Sequence, residues 1–143
     1  MTDIFSIIGS SLNAQNQRMA AIASNLANAN SITKPGQQPY RAQEVVFSAA
    51  PVVDGEGGGT GSGATDLGVQ VAANVQSNAP AVQTYDPGSP YADKQGYVTG
   101  SNVNQVDEMV NMIDSSNSYS ASVALLQQSV KIDQQIISAF QVG

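Results

Sequence analysis

Apolar residues recur at alternating three- and four-residue spacing at both ends of this chain, and that recurrence restricts the fold more than any other feature. At the N-terminus the series is Met1, Phe5, Ile8, Leu12, Gln15, Met19, Ile22, Leu26 and Ala29, with only Gln15 polar. At the C-terminus it is Met109, Met112, Ser116, Tyr119, Val123, Leu126, Val130, Asp133, Ile137 and Phe140, with Ser116 and Asp133 polar. Val106, Val110, Ile113, Ile132 and Ile136 widen the second stripe. Each series is a heptad seam of about four heptads or more, which predicts a long α-helix at each end of the chain. At 1.5 Å per residue the two helices would run roughly 40 and 55 Å. Thr2 or Asp3 is positioned to cap the first, and Asn104 the second, with Asp107 and Glu108 in its opening turn against the helix dipole. The first pattern stops at Ser31, and Lys34-Pro35-Gly36 punctuates it.

Between the seams the period changes. Residues 40–47 and 69–75 show imperfect two-residue alternation with β-branched content, and shorter strand candidates lie at 81–85 and 96–99. Asp86-Pro87-Gly88 and Asp93-Lys94-Gln95-Gly96 mark turns. Residues 55–63, GEGGGTGSG, read as a flexible loop. The expected fold is therefore α+β, with three parts. Residues 1–33 form an N-terminal axial helix, 34–100 a small β-rich middle region with a disordered Gly-rich loop, and 101–143 a C-terminal axial helix. The two helices are expected to pack as a coiled-coil-like pair and to become the core of a helical tube on assembly.

The helices lack the charges that normally cover a solvent-facing side. Only Arg18 is charged between Ile4 and Thr33, and nothing is charged between Ser115 and Val130. Ala, Ser, Asn and Gln fill the positions off the seam. Small residues let helices approach closely, and amides bond in many directions. Such a surface suits a helix with other helices around it. Ser- and Asn-rich helices depend on packing for stability, so order should arrive with polymerisation.

Charged residues make up 11% of the whole chain, against roughly 25% in ordinary soluble domains. The net charge of −6 disfavours nucleic acid, whose phosphates need cationic side chains, and it disfavours an anionic membrane surface. No apolar run reaches the roughly 18 residues of a membrane span, so direct membrane insertion is not expected. The N-terminus lacks a basic region and its apolar run is short for a signal peptide, so export by the general secretory route is not expected.

Chemistry finds little support. The chain has no His and no Cys, which removes the commonest general base, metal ligands and nucleophile pairs. Asp107 and Glu108 are adjacent on a helix, so their side chains diverge by about 100°. Asp86 and Asp93 sit in turn sequences, and the Gly run lacks the Lys-Ser/Thr of a phosphate loop. No spaced acidic ladder ends in Glu as in a calcium loop. The expectation is no enzyme, no catalytic or metal residue, no cofactor and no small-molecule substrate.

Two stretches resemble the flagellar basal-body rod proteins, and most closely those of the proximal rod. SSLNAQNQRMAAIASNLANANSITKPGQQPYRAQEVVF is similar to the family's N-terminal signature, a helix ending in an Asn-Leu-Ala-Asn-Ala turn before a Pro-Tyr-Arg segment and an apolar strand. PYADKQGYVTGSNVNQVDEMVNMIDSSNSYSASVALLQ is similar to its C-terminal counterpart, a Gly-Tyr-Val strand, an Asn-Val cap and a Glu-Met-Val-Asn-Met helix. This chain departs from the pattern at Asn117, where the family usually has Arg, and at Ser120, where it usually has an acidic residue. The resemblance implies a periplasmic structural subunit of the flagellar basal body. It would be exported unfolded by the flagellar type III apparatus without a cleaved signal peptide. It would assemble with other rod proteins and with copies of itself, transmit torque, and form part of the export channel wall. The implied assembly interface comprises Ile8, Leu12, Met19, Ile22, Asn25, Leu26 and Asn28 on the first helix. On the second it comprises Met109, Met112, Tyr119, Val123, Leu126, Val130 and Ile137. Asn25 and Asn28 flank the seam, where an amide can bond a neighbouring helix or loop and select a register. Alternatives are another type III-secreted tubular subunit, such as a hook-type protein, and a cytoplasmic coiled-coil adaptor.

Overall fold

The structure, a computed structural model, describes residues 2–51 and 67–141. The Gly-rich stretch 55–63 lies outside the described residues, and the cap expected at Thr2 or Asp3 lies outside the described side chains. Helix α1 (Thr2–Asn28) leads into β1 (Ile32–Thr33), then β2 (Gln43–Pro51) and β3 (Leu67–Gln76). After these come β4 (Gln83–Tyr85), β5 (Tyr97–Gly100) and helix α2 (Gln105–Gln141). The α+β class expected from the sequence is the one observed, with a helix at each end and antiparallel strands between them.

Local chemistry sets the boundaries. Asn28 donates from Nδ2 to the carbonyl of Ser24 (2.8 Å), and its own carbonyl accepts the Ser31 N–H (3.1 Å) and Oγ (2.8 Å). Those bonds close α1 at Asn28, before the expected boundary at 33, and free Ile32–Thr33 to pair with β5. Gly36 follows with φ 86°, and the Gln37 N–H reaches the Lys34 carbonyl at 3.1 Å, so Pro35 and Gly36 take the central places of a tight turn. At the start of α2, Asn104 Oδ1 accepts the Val106 N–H at 3.1 Å, which is the cap read from the sequence.

The strands form two separate sheets. One is a long antiparallel ribbon of β2 and β3, paired from Gln43↔Gln76 to Pro51↔Leu67 with a bulge between Val46 and Phe47. The other is a small sheet in the order β1-β5-β4. Asp93 shapes its corner: Oδ1 accepts the N–H groups of Gln95 (2.8 Å) and Tyr97 (2.9 Å), and Gly96 takes φ 85°. Tyr85 and Tyr97 meet edge to face across β4 and β5, with ring centroids 5.3 Å apart.

Helix α1 is the centre of the molecule, packed by α2 and by both strands of the ribbon. Asn25 meets Glu108 and Arg18 meets Asp114, so the two helices run antiparallel. The buried apolar residues among those described are Ile8, Ala14, Ala21, Ile22, Ala42 and Val98. Four of the six lie on α1, and the set is too small and too Ala-rich for a robust isolated core.

On α2 Ser115 is buried, and Glu108, Asn111, Met112, Ser118, Tyr119, Ser122, Val123, Leu126 and Ser129 are half-buried. Met109, Val130 and Ile137 are exposed, as are Val110 and Ile113. The period read from the sequence is right. The half-buried side mixes Ser118 and Ser122 with Met112, Tyr119, Val123 and Leu126 of the seam, and the rest of the apolar stripe stays outside.

Candidate functional site

The functional surface of this fold has an apolar exterior on α2 and an internal polar clasp that holds α2 to the rest of the chain. Asn25 is the centre of the clasp. Its side chain is fully buried and uses all its hydrogen-bonding capacity. Oδ1 accepts the Gln43 N–H at 2.8 Å and the Tyr40 hydroxyl at 3.1 Å. Nδ2 donates to the Gln43 carbonyl at 2.9 Å and to Glu108 Oε2 at 3.1 Å. Both backbone groups of Gln43 are therefore paired by one carboxamide, as they would be by a neighbouring strand, and that pairing fixes which end of the amide carries the oxygen. Tyr40 is held in turn by Ser24 Oγ at 3.0 Å. One residue thus joins α1, the segment before β2, β2 itself and the first turn of α2.

A second asparagine braces the far side. Asn102 Oδ1 accepts the Ala42 N–H at 2.7 Å, and Nδ2 donates to the Ala79 carbonyl at 3.0 Å. Ser10 Oγ accepts the Val69 N–H at 3.1 Å while donating to the Ile7 carbonyl, which ties β3 to α1. A cleft of about 420 Å³ lies where α1, α2 and β2 converge. Its floor is Ala21, Ile22, Val45 and Phe47, and Arg18, Glu44 and Glu108 stand among its lining residues. Among the described residues no three potential metal ligands gather at one place. Two buried oxygens, Gln15 Oε1 and Ser115 Oγ, have no partner.

The residues expected at the assembly interface divide by position. Ile8 and Ile22 are buried within the chain, Asn25 forms the clasp, and Asn28 bonds its own helix. Leu12, Met19, Leu26, Met112, Tyr119, Val123 and Leu126 are half-buried. Met109, Val130 and Ile137 face outward, joined by Val106, Val110, Ile113, Leu125 and Phe140. Sequence reasoning placed an amide at the seam but did not find its partners. Glu108 read as a capping acid, and Tyr40 and Asn102 entered only through the Pro-Tyr-Arg and Asn-Val motifs of the resemblance, without a partner.

Long antiparallel helices formed by the two chain ends, a small antiparallel β region between them and exposed apolar residues on α2 define the class of this α+β chain. Residues 94–139 match the family described as flagellar basal body rod FlgEFG protein C-terminal. Over 128 residues it is 49% identical to the flagellar basal-body rod protein FlgC of Escherichia coli O6:H1, covering 88% of this chain and 87% of that one. It is 48% identical to FlgC of Salmonella typhimurium over the same shares. With FlgC of Borreliella burgdorferi the identity is 31% over 94% of each chain. The chain belongs to the FlgC family of flagellar basal-body rod proteins and is a structural subunit of the proximal rod, not an enzyme.

Proposed function

We propose that the chain polymerises through its terminal helices with other rod components and with copies of itself, and that the resulting wall transmits torque and encloses part of the export channel. In that wall α1 and α2 act as one coiled-coil-like unit, and the subunit arrives unfolded through the flagellar type III apparatus. One observation carries this reading: α2 leaves Val106, Val110, Ile113 and Leu125 more than half exposed, at 61–67%. Water is a poor solvent for such a face, which at about 25 cal/mol per Å² gains stability when neighbours cover it. The absence of Cys makes a direct test simple. Single cysteines at Val110 and Leu125, in chains that assemble in a strain lacking its own copy, should cross-link between subunits in purified basal bodies. A cysteine at Asp86, exposed in the middle region, serves as the comparison. If Val110 and Leu125 remain free and fully reactive in basal bodies that contain the chain, the terminal helices are not the polymerising elements.

A further inference from the structure

We propose that the contact between Asn25 and Glu108 sets the register of α1 against α2, with the β2 backbone acting as the jig that aims it. Small residues buried on the two helices, Ala14 and Ala21 on α1 and Ser115 on α2, sit beside larger apolar ones such as Ile22, and apolar contacts carry little direction of their own. Ser115 Oγ is fully buried without a partner, so it prefers no position along α1. A slip by one turn would move α2 about 5.4 Å along α1.

Asn25 is different because it is not free to follow. The N–H and carbonyl of Gln43 hold its carboxamide at 2.8 and 2.9 Å, so its remaining N–H points one way, toward Glu108. A slip of one turn would bring Asn104 and Gln105, or Asn111 and Met112, opposite Asn25; the amides among them can accept its N–H, but none supplies the carboxylate of Glu108. Arg18 would lose Asp114 in the same movement and meet residues 110–111 or 117–118, again without a carboxylate. Its pair with Asp114 is 3.5 Å long and largely in solvent, so it adds little by itself. A polar contact that is charge-assisted in one alignment only can specify the register of a helix pair. The role rests on the proposal that the helix pair is the polymerising unit, since a slipped α2 would displace its whole outer face relative to the ribbon.

The test uses the full-length Cys-free chain, with Arg18→Cys combined in turn with Val110→Cys, Asp114→Cys or Asn117→Cys, and a short bis-thiosulfonate reagent. Intrachain cross-linking, read as a shift of the monomer band, gives a yield profile along α2. With the clasp intact the profile should peak at position 114, about fivefold or more above its neighbours, as expected if a charge-assisted hydrogen bond is lost on slipping. Asn25→Ala and Glu108→Ala should flatten the profile to within about twofold or move its peak, while Glu108→Gln, which keeps an accepting oxygen without the charge, should lower the peak at 114 part of the way. A peak that stays at 114 in both alanine variants overturns the proposal. Disappearance of all three cross-links in both also overturns it, because the contact would then be general support for the pair. Incorporation into basal bodies is followed separately by immunoblot. A chain missing from the rod counts against the polymerisation reading and leaves the intrachain profile intact.

Discussion

Asn25 and Ser115 are both fully buried, yet the structure treats them in opposite ways. Asn25 has four partners and Ser115 Oγ has none. Asn25→Ala would leave the two backbone groups of Gln43 and the Tyr40 hydroxyl without their partner, at about 1–3 kcal/mol for each group that finds no water. Faster hydrogen exchange at the Gln43 N–H is the expected sign, and unchanged protection there would show that the bond matters little. Ser115→Ala removes a hydroxyl that bonds nothing, so stability should change by no more than about 0.5 kcal/mol or rise slightly. A loss above about 1 kcal/mol in a denaturant titration would reveal a partner for Ser115. Gly96 is a third case. At φ 85°, with an added Cβ 2.9 Å from Tyr85 Cε2, Gly96→Ala combines backbone strain with a ring clash. The β4–β5 corner should loosen by roughly 1–3 kcal/mol, seen as faster exchange at Asp86 and Tyr97, while the α1–α2 pair is unaffected.

Helix α2 has a half-buried side of mixed Ser and apolar residues and an exposed side rich in apolar ones, so on the proposed reading fold and assembly use different sides of one element. Val110 and Ile113 are 61% and 62% exposed within the chain. Replacing both with Asn should leave the cross-link between positions 18 and 114 in place and reduce the number of completed rods, with the chain still exported. Normal rod counts in that double variant would show that this face is not used. Ile22, at 4% exposure, belongs to the fold itself, and Ile22→Ala should cost about 2–5 kcal/mol in the chain before any assembly is scored. The sequence made much of this legible. Heptad spacing marked both helices, Asn104 marked a cap, and turn chemistry at Asp86 and Asp93 framed the short strands. Three things stayed hidden for physical reasons. β1 spans two residues, too few to show a period. The covered side of α2 includes Asn111, Ser115, Ser118 and Ser122, which a search for apolar residues passes over. The partners of Asn25 include the backbone of Gln43, and a backbone group leaves no trace in residue identity.

At the scale of the whole molecule, the two helices differ in length and only part of α2 has company. From the Asn25–Glu108 contact to the Arg18–Asp114 contact, seven residues pass on α1 and six on α2. Carried on at that pace, the start of α1 at Thr2 lies opposite about residue 128 of α2. The burial record agrees: from Val130 to Phe140 every side chain is exposed except Asp133. About a dozen residues of α2 therefore extend beyond α1, roughly 18 Å of helix. Ile132, Ile136, Ile137 and Phe140 all lie on this extension, with Phe140 83% exposed. A lone amphipathic helix of that length is marginal in water, so neighbours in the rod must supply what the chain does not. Removing residues 132–143 should consequently separate folding from assembly. The clasp, the ribbon and the buried part of α2 lose no contact, so the 18–114 cross-link should persist at full yield. The truncated chain should nevertheless fail to complete rods, and swimming should be lost even where immunoblots show normal export. Phe140→Ser is the milder form of the same test, expected to lower rod number without abolishing it. Should the truncated chain support normal swimming, the extension takes no part in the wall, and the polymerising surface is confined to α2 alongside α1.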